Sequence, residues 1–149
     1  MGKLGFLGEL MSNPYHKLGS DNDPFAVSNK FSLPMCLGEA FKKLMCAGIN
    51  GRLKSVSQDY KEATYSIQRA IDDLSKYSLQ KTSSVHKVHD VIGVYRDAFP
   101  NINEQAVEAA KSILFFAVYG QVHYLEAALV LANEAHKIEF KKEGDSFSK

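Results

Sequence analysis

Three groups of side chains have types and spacings that could do chemistry. The first is His123 and Glu126, one helical turn apart, with Tyr119, Gln121 and Tyr124 beside them. A histidine and a carboxylate at that spacing share a helix face, so they can exchange protons, hold a metal or line a ligand site. The second is His86 and His89, at i and i+3, followed by Asp90. Two imidazoles on one face suit a metal ion, provided another element brings a further ligand. The third is an arm, residues 1–34, in which Tyr15, Leu18, Phe25 and Phe31 dot a stretch rich in Gly and Pro. Apolar residues along such an arm can hold a protein partner or a second protomer.

Familiar catalytic signatures are missing. There is no Gly-rich phosphate loop, no nucleophile elbow and no paired-histidine metalloprotease helix. This favours a binding or structural module over an enzyme, and no cofactor is implied. Carboxylate-bridged di-iron bundles carry Glu-x-x-His; here the order is reversed and occurs once. Counted from His89, Gly93 is similar to the +4 glycine of histidine phosphotransfer domains, but Ile92 stands where their lysine is. Tyr15-His16-Lys17-Leu18 fits a tyrosine sorting pattern and Asp23-Pro24-Phe25 an adaptor-binding pattern; both are short enough to arise by chance.

Composition narrows the class further. Eighteen Lys and Arg face seventeen Asp and Glu, a net charge of +1, which argues against a nucleic-acid binder. A hydrophobic fraction of 45% excludes wholesale disorder. The cysteines, Cys36 and Cys46, sit among apolar neighbours and read as free thiols. On one helix they would lie about 15 Å apart, beyond disulfide reach. The N-terminal apolar stretch is cut by Gly5, Gly8 and Glu9, so no secretory signal is read and a cytoplasmic location is expected.

The positioning elements all read as helices. Leu37, Phe41, Leu44 and Met45 mark a helix over Leu37–Gly48. Leu53, Val56, Tyr60, Ala63, Ile67, Ala70, Leu74 and Tyr77 alternate by three and four. That coiled-coil-like pattern predicts an amphipathic helix over Leu53–Gln80, about 40 Å long. Ser84–Phe99 follows, stopped by Pro100. Asn101 and Glu104 then read as a capping box opening one long helix, Ile102–Lys142. Between Ile113 and Ala132 it is apolar on nearly every side, which predicts a central, buried helix. A bilayer is disfavoured because Gln121, His123 and Glu126 stand mid-run.

The expected fold is therefore all-α: a soluble bundle of about four helices over residues 35–142, around a long C-terminal helix. An irregular arm (1–34) precedes it and a polar tail (143–149) follows. Leu53, Val56, Ile67, Leu74, Leu114, Phe116, Val118, Val122, Leu125 and Leu129 are expected in its core. The expected function is non-enzymatic protein–protein interaction, with a protein partner or a second copy, as an adaptor, regulator or assembly subunit. The alternative is a bundle enclosing a ligand or metal around His123 and Glu126.

Overall fold

The computed structural model describes residues 16–49, 55–74 and 84–147, with side chains through residue 144. Helix is the sole regular structure among them, so the all-α expectation holds. A 3-10 turn, His16–Leu18, precedes six α-helices: α1 Pro24–Lys30, α2 Met35–Met45, α3 Val56–Asp72, α4 Val85–Ala98, α5 Glu104–Tyr119 and α6 His123–Phe147.

Four of the six close a ring. Helix α2 packs on α3, α3 on α6, α6 on α5, and α5 back on α2. Helix α1 leans on α2 from outside, while α4 lies against α5 and the 3-10 turn. The count thus differs from the expected four: six helices pack together among the described residues, four of them in the ring and two against it. On α3 the buried stripe is Tyr60, Ala63, Ile67 and Ala70, as its three-four spacing predicts. On α2 it is Leu37, Ala40, Phe41, Leu44 and Met45. The α5 and α6 faces are rich in alanine: Ala106, Ala109, Ala110 and Ala117 on one, Ala128, Ala132 and Ala135 on the other, all buried. Small side chains let two backbones approach closely, and Ile113, Leu114, Phe116 and Leu125 fill the space beyond them. Tyr95 joins α4 to α2 by an edge-on contact with Phe41, ring centroids 5.3 Å apart, and both rings are fully buried.

The single long helix is corrected: Ile102–Lys142 is two helices. Gly120 adopts φ 75°, the left-handed conformation that ends a helix, and its N–H donates to Phe116 O at 2.7 Å. The chain reverses through Gln121 and Val122, and α6 starts as Leu125 and Glu126 donate to Val122 O. The two helices are antiparallel, since Asn103 at the start of α5 meets Glu139 late in α6. The apolar surround therefore divides, and each helix buries its own side against the other. Val122, expected in the core, lies on the turn and is exposed. Ile67, Leu114, Phe116 and Leu125 are buried as expected; Val56, Leu74, Val118 and Leu129 pack on the core from its margin. Leu53 lies outside the described residues.

Helix starts differ from expectation: α2 begins at Met35, two residues before Leu37, and α3 and α5 begin later than expected. Asn103, not Asn101, caps α5, its Oδ1 accepting from Ala106 N at 3.1 Å. Glu104 then becomes the first helical residue and turns to Arg96 instead of closing a capping box. Ser55 caps α3, its Oγ accepting from Gln58 N, so that helix begins after Leu53. It is described to Asp72, where Asp73 N–H donates to Arg69 O; the expected stretch toward Gln80 falls outside the described residues.

The arm is not wholly irregular. Asp23 Oδ1 accepts from Ala26 N at 2.8 Å and Pro24 occupies the first helical position, a strong helix start. The Asp-Pro-Phe pattern is thus accounted for by capping. Leu18, Val27 and Phe31 enter the common core.

Candidate functional site

The turn between α5 and α6 gathers five rings. Tyr119, the last residue of α5, stacks on Tyr124 in the first turn of α6, centroids 5.6 Å apart and planes 21° from parallel. Phe115, one turn earlier, sits 6.3 Å from Tyr119 and 6.0 Å from Tyr124. His89 on α4 meets Phe115 edge-on at 6.0 Å. The His123 ring lies 4.1 Å from that of Tyr124. The left-handed Gly120 makes this possible, because a straight helix would carry Tyr119 and Tyr124 away from each other along its axis.

Two groups that the sequence holds well apart therefore form one surface. His89 and the Tyr119–Glu126 segment are joined through Phe115, a residue that periodicity marks only as apolar. The surface is open: Tyr119 is 42% exposed, and Gln121, Val122, His123 and Glu126 are exposed too, with Tyr124 half-buried. This corrects the picture of an enclosed His123–Glu126 pair. The physical reason is the break at Gly120, which puts these residues on the rim of a hairpin and not midway along a buried rod. His123 turns to the Tyr124 ring, and no hydrogen bond joins it to Glu126. His86 and His89 are both exposed on α4. Among the described residues, no three His, Cys, Asp or Glu side chains are grouped to hold a metal ion.

The patch continues along α6. His123, Ala127 and Val130 share its outer face at helical spacing, and Val130 is 58% exposed. Beyond Val130 the same face turns charged, with Glu134, Lys137 and Lys141. The apolar patch thus ends in a solvated stretch of helix.

The arm residues separate. Leu18 and Phe31 are buried within this chain and so are withdrawn from any partner. Phe25 is 74% exposed, beside Met35, across a cleft of about 360 Å³ where α1 meets α2. Tyr15 lies outside the described residues.

A polar network that spacing arguments missed lies at the other end of the α5–α6 hairpin. Asn103 Nδ2 donates to Glu139 Oε2 at 2.8 Å. Ser57 on α3 donates from both its Oγ and its N–H to the Glu143 carboxylate, which meets the positive end of the α3 dipole. His136 Nδ1 lies 3.0 Å from Ser57 O and donates to it in the Nδ1–H tautomer. One signal was available: His136, Glu139 and Glu143 recur at helical spacing and so share one face of the helix.

Burial dominates the chemistry of two groups nearby. It pushes the Cys46 thiol up to about 12, so the thiol is protonated and inert at neutral pH. It also raises the Tyr60 phenol, with the Glu139 charge adding to the effect. Cys36 and Cys46 are not joined in a disulfide.

Among the described residues no helix is long and apolar enough to cross a membrane. No protein-family model, curated protein or solved structure matches the chain.

Proposed function

We propose that the protein is a non-enzymatic helical module for protein–protein interaction: an adaptor, a regulator or an assembly subunit. The observation that carries this reading is the exposed Tyr119–Tyr124 stack, continued by Val122, His123 and Val130. Rings already held in one geometry lose little freedom on binding, and tyrosines dominate interface hot spots. A rim of Gln121, Glu126 and Glu134 surrounds the apolar residues, the layout of a contact patch with a polar border. The partner is another protein chain or a second copy of this one.

Val130→Asp tests the reading, because an exposed position can take a charge without disturbing the core. Cross-linking of the whole chain in cells that express it should join residues 119–130 to a second protein or a second copy. Val130→Asp should remove those links while leaving the thermal midpoint unchanged. A protein that stays monomeric and forms no cross-link through this face, or whose cross-links survive the substitution, would sink the reading.

A further inference from the structure

At the open end of the α5–α6 hairpin lies a cleft of about 340 Å³, at the small end of the range for ligand sites. Met45, Val56, Phe99 and Ile102 supply apolar walls, and Tyr60 and Glu139 line its polar side. Tyr60 is 2% exposed. The Glu139 side chain is 19% exposed and borders the cleft.

The hydrogen bonds of Glu139 are lopsided. Asn103 Nδ2 and Lys142 Nζ both reach Oε2, at 2.8 and 3.3 Å. Among the described residues, Oε1 accepts no hydrogen bond. Asn103 cannot swing away to serve it, since its Oδ1 is held as the cap of α5. Asp59 is bound through Oδ2 to Gly48 N, and its charge and that of Glu139 both act on the Tyr60 phenol. Lys142, whose side chain is 68% exposed, supplies the opposing charge on the Oε2 side.

The geometry points to a binding site for a small organic cation: a compact apolar or aromatic body seated between Phe99, Ile102 and Met45, with a protonated amine donating to Glu139 Oε1. An anionic ligand would face the carboxylate, and a purely apolar one would leave it unanswered in a drier setting. A charge-assisted bond favours the amine over a neutral donor of the same shape. The site is separate from the aromatic patch at the opposite end of the hairpin, and the two proposals stand or fall independently.

Three probes of one shape test it on the whole chain: 2-phenylethylamine, 2-phenylethanol and 3-phenylpropanoate, followed by amide NMR at neutral pH. The amine should shift residues 47–49, 98–99 and 101–103 saturably, with millimolar affinity or better. The alcohol should bind about tenfold more weakly, and the carboxylate should not saturate. Glu139→Gln should weaken the amine about tenfold while leaving the alcohol unchanged. Ala47→Leu, which fills the cleft from its margin, should weaken both. Absence of saturable shifts with the amine, equal binding of the carboxylate, or an amine affinity untouched by Glu139→Gln would each overturn the proposal.

Discussion

Asn103 holds the two ends of one hairpin together: its Oδ1 accepts from Ala106 N at 3.1 Å, and its Nδ2 donates to Glu139 Oε2 at 2.8 Å. One side chain thus starts α5 and anchors the far part of α6. Asn103→Ala removes a helix cap and a bond to a charged acceptor together, and should lower unfolding free energy by about 2–3 kcal/mol. Asn103→Asp keeps the cap but faces Glu139 with a second carboxylate. Its deficit at pH 7 should shrink as the pH falls into the carboxylate range and one of the pair takes a proton. Urea titrations of both variants at two pH values check this.

Two glycines should respond in opposite directions to alanine. Gly120, at φ 75°, gives the αL cap, and Gly120→Ala should cost about 1–2 kcal/mol. Gly93 lies inside α4, and a Cβ built there meets nothing within 4 Å. Gly93→Ala should stabilise the protein by about 0.5–1 kcal/mol. Thermal unfolding of the pair separates a required glycine from a tolerated one.

The Arg96 fork grips Glu104 at 2.6 and 3.1 Å and holds its carboxyl below the usual range, the hydrogen bond being the main cause. A carboxyl depressed by folding stabilises the native state above its unfolded value of 4.5 and loses that contribution as pH falls through the lower folded value. Both partners are well exposed, so the effect is small: Glu104→Gln should cost at most about 1 kcal/mol at pH 7. The difference should vanish in strong acid and narrow in high salt. A deficit that persisted below the carboxylate range would mean that Glu104 acts by packing instead.

Burial that raises a thiol has the opposite sign. The Cys46 value moves from 9.0 to about 12, so its contribution is complete below pH 9 and fades as pH climbs toward 12. Iodoacetamide at pH 8 should leave Cys46 untouched in the native protein and modify it after unfolding. Peptide mass mapping reads this site by site, with Cys36 as the internal comparison.

Where the sequence carried a strong period, the fold was legible. Tyr60, Ala63, Ile67 and Ala70 stand out because Lys61, Glu62, Ser66, Gln68 and Arg69 lie between them, and α3 buries that stripe. The break at Gly120 was hidden because apolar runs flank it, residues 113–118 before and 127–132 after, so the helical stripes carry across the polar Gln121 and His123. A lone glycine costs a helix only about 1 kcal/mol, too little to mark an end by itself. Asn101 and Asn103 are equally good caps by type; Asn103 also bonds Glu139 across the hairpin and Glu104 pairs with Arg96, contacts that no spacing rule shows. Leu18 and Phe31 carried no period at all, and only packing shows that they serve the core. The aromatic patch was half legible: Tyr119, His123 and Tyr124 stood out by type, but their link to His89 passes through Phe115 in three dimensions only.

The hairpin also bears on the order in which the molecule assembles. Helices α5 and α6 meet after a reversal of three residues, Gly120–Val122, so their alanine seam closes between near neighbours in the chain. The Ser57–Glu143 bond joins residues 86 apart. Closing that larger loop carries the greater entropic cost, and distant contacts slow folding. The α5–α6 pair is therefore expected to gain amide protection before α3 does, which pulse-labelled hydrogen exchange during refolding checks.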